Sequence, residues 1–177
     1  LSGYGGAKPV RTGNGAFDQR QNDVWGALLD SIYVHRKALG PGAINDETRD
    51  LVRRLVENAL EAWPKPDQGI WEARGEPRHY VSSKLMIWVA VERASRLAAE
   101  FGVKENADRL RAKAAEIKEE IIEKGCRDGV FRQHYETDAL DASAVLSQDA
   151  FKVLFNPPRA YKPTPKESTV AKVFGTA

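Results

Sequence analysis

The sequence is poor in the residues that build disulfides and metal sites. It has one cysteine, Cys126, so no second cysteine is present in the chain to pair with it. Its three histidines, His35, His79 and His134, are scattered and show none of the spacings typical of a metal site. These shortages argue against redox and zinc chemistry, and we expect no cofactor.

Long hydrophobic runs and an excess of one charge are also lacking. The longest apolar runs, such as LMIWVAV, are far shorter than the ~20 residues that cross a membrane. Lysine and arginine total 27 against 25 aspartate and glutamate, so the formal net charge is only +2. This small excess gives no electrostatic reason to predict a nucleic-acid or membrane partner. We therefore expect a soluble, cytoplasmic protein.

A starting methionine is missing as well. The only methionine is Met86, and residue 1 is a leucine within the turn-rich stretch LSGYGGAKPVRTGN. We therefore expect a piece of a larger protein, whose partners include the rest of its parent chain or a second copy in a homo-oligomer. With 177 residues, 42% of them hydrophobic and 29% charged, the piece is long enough for one globular domain.

Apolar residues recur at helical spacing in four segments, and the ends of these segments carry start and stop signals. Asn22 is expected to cap the first helix and Ser82 the third, while Gly40 and Gly102 are expected to end them. The predicted helices cover residues 23–39, 46–63, 83–101 and 104–123. Their short connections and narrow apolar stripes predict an all-α fold of antiparallel helix hairpins.

The other segments are predicted to be less regular. Residues 1–15 are glycine-rich and have no apolar period, which indicates a loop. The Asp-Gly pair in CRDGVFRQHYE predicts a small hairpin or bent loop. DALDASAVLS is expected to start a further short helix, and residues 148–177 form a proline-rich tail that we interpret as irregular.

Trp71 is the tryptophan that the pattern places outside the helices. Trp25, Trp63 and Trp88 lie in helical segments and are expected in the core. In a loop, an indole forms a flat wall for a sugar ring, and its N–H can bind a hydroxyl. A carboxylate shielded from water by such a wall, as Glu72 would be, is suited to general-acid work. The alternative is a solvated loop glutamate without a role.

Three stretches, in this order, carry a resemblance to a known family: PVRTGNGAFDQRQNDVWGALLDS, DQGIWEARGEPRHYVSSKLMIWVAVERA and DALDAS. They resemble the glucoamylase-type enzymes of glycoside hydrolase family fifteen, and the middle stretch is similar to the bacterial trehalases within it. The resemblance covers about residues 1–147. It implies that these residues form part of an (α/α) toroid of six helical hairpins.

The resemblance also implies roles for particular residues. In that family, the glutamate that follows tryptophan in the IWE motif is the general acid, which here is Glu72. Trp71 is implied to line the sugar site. The further polar contacts that the resemblance suggests are Gln21, Asp23, Arg74 and Lys84.

The second catalytic carboxylate has no match in the chain. Hydrolysis with inversion needs a base about 6.5–9.5 Å from the acid to activate water. In the family, that base lies beyond the C-terminal end of this sequence, and the motif does not match Glu76, Glu136, Asp138 or Asp141. The chain therefore resembles the acid half of an inverting hydrolase of trehalose or related α-linked gluco-oligosaccharides.

Two other interpretations stay open at this stage. A helical-hairpin interaction module without chemistry would present Trp71 and its neighbours as an apolar ridge. A sugar-binding module that has lost catalysis would keep the site without turnover. A concave, acid-lined pocket at the loop between the second and third helices favours the hydrolase, whereas a flat apolar patch favours the interaction module.

Overall fold

The computed structural model describes residues 2–9 and 13–143, and these are mostly helical. The four α-helices are α1 (Val24–Leu39), α2 (Asp46–Ala62), α3 (Val81–Glu100) and α4 (Lys104–Gly125), and the two short strands are β1 (Cys126–Arg127) and β2 (Val130–Phe131). Single 3₁₀ turns cover Tyr4–Gly6 and Pro41–Ala43. The all-α prediction is confirmed. The tail at 148–177, and residues 144–147 of the stretch DALDASAVLS in which a further helix was expected to start, lie outside the described residues.

The predicted helices are confirmed to within two residues at every boundary. Gly40 and Gly102 end α1 and α3 with φ of +87° and +78°, a conformation that glycine adopts without steric cost. The prediction that Asn22 caps α1 is wrong. Asp23 occupies the capping position without a side-chain capping bond, because Asn22 is held by a contact from the α2–α3 connection, described below.

The prediction that Ser82 caps α3 is also wrong. The helix begins at Val81, so Ser82 lies inside its first turn, and the extended residue Tyr80 occupies the capping position. The cause is tertiary: Tyr80 forms an isolated β-bridge with His134, and the Val81 N–H donates to the carbonyl of Gln133 at 3.0 Å. These contacts provide a partner for the first backbone N–H of α3 without a side-chain cap.

Helix α3 is the centre of the fold and packs against the other three helices. It is antiparallel to α2, because Lys84 at its start contacts Trp63 and Phe101 at its end lies under the Arg49 guanidinium. It is antiparallel to α4, whose last residue, Gly125, lies against Val81.

Helix α1 runs parallel to α3, as the antiparallel order of consecutive helices requires. Gly26 lies against Met86 near the start of both helices. Further along, Asp30 pairs with Arg93, and Arg36 pairs with Glu100 near the end of both. The starts of α1 and α3, which border the α2–α3 connection, therefore lie at the same end of the molecule.

The core lies between the four helices, and Trp63 and Trp88 are buried in it as predicted. Trp25 packs against its edge and is partly exposed. The predicted hairpin is confirmed: Asp128 and Gly129, with φ of +54° and +76°, form the two-residue turn between β1 and β2. None of the described helices is long and apolar enough to span a membrane.

Candidate active site

The connection between α2 and α3, residues 63–80, carries Trp71 and Glu72 and is closed by backbone pairing. Asp67 and Arg78 bond each other in both directions, with N···O distances of 3.0 and 2.8 Å. The Asp67 carboxylate is buried, and its Oδ2 accepts the N–H of Asn22 at 2.8 Å. Burial raises the pKa of Asp67, and the Asn22 N–H opposes this rise. The loop is thereby joined to the segment that precedes α1.

Two residues of this loop adopt left-handed backbone conformations. Gly69 has φ of +68°, and a Cβ there would lie 2.9 Å from the Tyr80 ring, so both the angle and the space require glycine. Glu72 has φ of +52°, which is uncommon for any residue other than glycine. Strain of this kind persists where surrounding contacts hold it, and it clusters at functional sites.

The Glu72 side chain points to the loop surface and meets two donors. Its Oε2 accepts the Asn14 amide at 3.3 Å and lies 3.8 Å from the Arg74 guanidinium. The side chain is 41% exposed, so the shielding expected from the sequence is only partial. Arg74, predicted as a sugar contact, therefore lies beside the carboxylate that was predicted as the acid.

Trp71 is 55% exposed, and its indole N–H already has an acceptor. Its Nε1 donates to Oδ1 of Asp141 at 2.7 Å, and the Ser143 N–H donates to the same oxygen at 2.8 Å. The expectation that this indole N–H is free for a sugar hydroxyl is therefore wrong, and the ring face is what remains available. The sequence did not predict this contact, because nothing local links Asp141 to a residue seventy positions earlier.

Asp23 and Gln19, which precede α1, each have a buried side-chain oxygen. Oδ1 of Asp23 and Oε1 of Gln19 are buried, and neither has a hydrogen-bond donor among the described residues. Burial raises the pKa of Asp23, against a smaller opposing effect of its own backbone N–H. Gln19 is joined to the loop, because its Nε2 donates to the carbonyl of Ala73 at 2.9 Å.

Gln21 and Lys84 lie away from Glu72. Gln21 lines a cavity of about 310 Å³ between the start of α1 and the end of α2. Lys84 is only 2% exposed, and its ammonium donates to the carbonyls of Trp63 and, at 2.9 Å, Lys65. Burial lowers its pKa to about 8. These contacts hold the end of α2 to α3, and they give no support to the predicted sugar contact of Lys84.

A larger cavity, of about 680 Å³, lies beside the ends of α2 and α4 and is lined by His79, Glu120, Tyr135 and Glu136, among others. Neither of these two cavities is lined by Trp71 or Glu72. The concave pocket around Glu72 therefore stays a prediction. Within residues 2–9 and 13–143, no group of three or more His, Cys, Asp or Glu side chains is placed to hold a metal ion.

Fold and site together define an all-α protein of helix hairpins whose connecting loop carries a strained glutamate beside an exposed tryptophan. The family model described as glycosyl hydrolases family 15 matches residues 1–167. The chain belongs to this family, and its hairpins are part of an (α/α) toroid. The match extends past residue 147, the approximate limit of the resemblance seen in the sequence.

Similar curated proteins are trehalases. The chain is 49% identical to the trehalase of Mycolicibacterium smegmatis over 148 residues, which are 83% of the chain and 22% of that protein. It is 50% identical to the trehalase of Mycobacterium tuberculosis over 147 residues, 82% of the chain and 21% of that protein. A trehalase of Thermoplasma volcanium is 36% identical over 143 residues, 80% of the chain and 23% of that protein. The chain thus spans about a fifth of the length of these relatives. No solved structure gives a significant match.

Proposed function

We propose that the full-length protein is an inverting α-glucoside hydrolase that acts on trehalose or related α-linked gluco-oligosaccharides, with Glu72 as its general acid. The observation that carries this proposal is the strained backbone of Glu72, held beside the exposed ring of Trp71 in a chain of this family. The trehalases among its relatives support trehalose as the substrate.

In this mechanism, Glu72 protonates the glycosidic oxygen while the bond to the anomeric carbon stretches toward an oxocarbenium-like state. Asn14 and Arg74 meet one oxygen of the carboxylate and fix its orientation. The second carboxylate, which directs water to the opposite face of the sugar, would come from outside these residues. The reaction needs no cofactor.

Arg74 and Gln21 are further candidates for sugar contacts. Arg74 lies beside Glu72, and Gln21 lines the cavity of about 310 Å³ between the start of α1 and the end of α2.

One observation favours a second candidate, an interaction module without chemistry. Ile70, Trp71 and Leu140 are large apolar residues that are 36%, 55% and 52% exposed. Calorimetric titration of the full-length protein with trehalose and maltose distinguishes the two candidates. Saturable binding of either sugar favours a carbohydrate site, and its absence favours the interaction module.

The proposal is tested by Glu72→Gln in the full-length protein. We expect kcat/KM for trehalose to fall by ~10²–10⁴-fold, the usual contribution of a general acid. An α-glucosyl fluoride, whose leaving group needs no proton, should retain much of its activity. Glu76→Gln, at an exposed position of the same loop, is the matched control and should change neither rate. Equal losses on both substrates would show that Glu72 is not the acid.

A further inference from the structure

Asp67 is a buried carboxylate in the loop of Glu72, and the proposed mechanism does not use it. The residue is only 2% exposed, and its Oδ2 accepts the backbone N–H of Asn22 at 2.8 Å. A carboxylate that is removed from water is costly unless donors compensate for the loss. Asn22 precedes α1, so this bond joins the base of the loop to the start of that helix.

The loop and the segment before α1 run side by side over residues 19–22 and 67–73. The Arg20 N–H donates to the Gln68 side chain at 3.0 Å, and the Gln19 side chain donates to the Ala73 carbonyl at 2.9 Å. The bond of the Asp67 carboxylate to the Asn22 N–H is the most buried of these side-chain contacts. Water competes least for a buried bond, so this contact contributes most to holding the two segments together.

The backbone of Glu72 is held by the residues that directly follow Asp67. The Glu72 N–H donates to the Gly69 carbonyl at 3.3 Å, and the Ala73 N–H donates to the Gln68 carbonyl at 3.0 Å. These bonds close the turn in which Glu72 has its φ of +52°. A shift of Asp67 would move the Gln68 and Gly69 carbonyls. The Glu72 carboxyl would then move with the turn, without any change in Glu72 itself.

We propose that Asp67 is a positioning residue for the general acid: its bond to the Asn22 N–H fixes the base of the loop and holds the Glu72 carboxyl where it can protonate the glycosidic oxygen. This inference rests on the proposed function, because it requires Glu72 to be the acid. A displacement of about 1 Å in a catalytic group can cost ~10²-fold in rate, so a buried contact can control catalysis without touching the sugar.

Three substitutions at position 67 separate positioning from folding. Asp67→Ala removes the acceptor and leaves the Asn22 N–H buried without a partner. Asp67→Asn keeps an acceptor, because the amide oxygen can take the same N–H. Asp67→Ser is polar but too short to reach the N–H, and it repeats the test if the alanine variant does not fold. The control for lost stability is Leu110→Ala, in the buried core face of α4.

Each variant is made in the full-length protein, and kcat and KM are measured for trehalose and for an α-glucosyl fluoride. Asp67→Ala should lower kcat for trehalose about ten- to hundredfold with little change in KM. It should spare most of the turnover of the fluoride, whose leaving group needs no proton. Asp67→Asn should restore kcat for trehalose to within about fivefold of wild type. Leu110→Ala should leave the ratio of the two kcat values unchanged, because partial unfolding lowers both alike.

Two results would overturn the inference. An unchanged ratio of the two kcat values in Asp67→Ala or Asp67→Ser would mean that Asp67 at most stabilises the fold. A loss in Asp67→Asn as large as that in Asp67→Ala would mean that an acceptor for the Asn22 N–H is not what the loop requires.

Glu72→Gln, measured on the same two substrates, separates this inference from the proposed function. If Glu72→Gln loses trehalose turnover alone and Asp67→Ala does not, only the positioning role of Asp67 fails. If Glu72→Gln loses both activities equally, Glu72 is not the acid, and the positioning role is overturned with it.

Discussion

At the scale of single residues, a buried carboxylate oxygen without a donor lowers the stability of the folded protein. Oδ1 of Asp23 is buried and has no donor among the described residues, and burial raises the pKa of the side chain. Its ionised form is therefore less favourable in the folded protein than in the unfolded chain. Residues kept under such a penalty are typical of binding sites, where stability is exchanged for affinity.

We predict that Asp23→Asn stabilises the protein at pH 7 by about 1 kcal/mol and weakens trehalose binding. Because the folded pKa lies above the ordinary value of 3.8, the charge penalty is present above the folded pKa and absent below 3.8, where both states are protonated. The stability gain should therefore shrink as the pH falls toward 4. Urea unfolding across this pH range measures it.

The control for this prediction is Asp18→Asn, at an exposed position of the same N-terminal segment, which should leave the free energy of unfolding unchanged. An Asp23→Asn protein that is less stable than wild type at pH 7 would show that the Asp23 charge is favourable in the fold. In that case, its buried oxygen would have a donor in solution.

Local sequence patterns identify adjacent residues of the candidate site and miss its long-range contacts for a physical reason. Glu72 and Trp71 are adjacent, and glycine flanks them, so their motif can be recognised from the sequence alone. The roles of Asp67 and Asp141 depend on partners 45 and 70 residues away, which no local pattern encodes. Lys84 was interpreted as a polar contact, but packing between α2 and α3 buries it.

At the scale of elements, the crossing of α1 and α3 depends on one glycine. A Cβ on Gly26 would lie 2.2 Å from the backbone oxygen of Met86, which is rigid within α3. The two helices can approach this closely only because residue 26 has no side chain. This contact sets the distance between the starts of α1 and α3, which border the loop of Glu72.

We predict that Gly26→Ala destabilises the protein by about 1–3 kcal/mol, the usual cost of overpacking. The higher helix propensity of alanine, worth ~1 kcal/mol relative to glycine, should offset only part of the clash. The measurement is the free energy of unfolding in urea. Gly42→Ala, where a Cβ meets nothing within 4 Å, is the control and should stay within ~0.5 kcal/mol of wild type. Wild-type stability of Gly26→Ala would mean that the helices separate at no cost.

The elements were more predictable than their arrangement. Helical periodicity and the glycine stops at Gly40 and Gly102 are local signals, so the four helices were found within two residues. The expected Ser82 cap was wrong because the β-bridge of Tyr80, a long-range contact, replaced a side-chain cap. The contact between α1 and α3 likewise depends on tertiary packing, although their parallel orientation follows from the antiparallel order of consecutive helices.

At the scale of the whole molecule, α1 has an apolar outer face. Val24, Leu28, Val34 and Leu39 are 42%, 44%, 55% and 68% exposed. Only Gly26 and Leu29 of this helix are buried, although its composition is the most apolar of the four. The residues that match are only about a fifth of the length of the relatives, so this face is suited to cover by further hairpins of a toroid.

The last prediction concerns the 177-residue chain as a catalyst. A general acid supplies ~10²–10⁴-fold of rate, but inversion also requires an activated water and a clamped sugar. The resemblance assigns the base to a segment outside these residues. We therefore expect the isolated chain to hydrolyse neither trehalose nor maltose measurably, whereas the full-length protein hydrolyses trehalose; glucose release measures both. Full activity of the isolated chain would place the base within it, and Glu76, Glu136, Asp138 and Asp141 would then be tested by substitution with the corresponding amides.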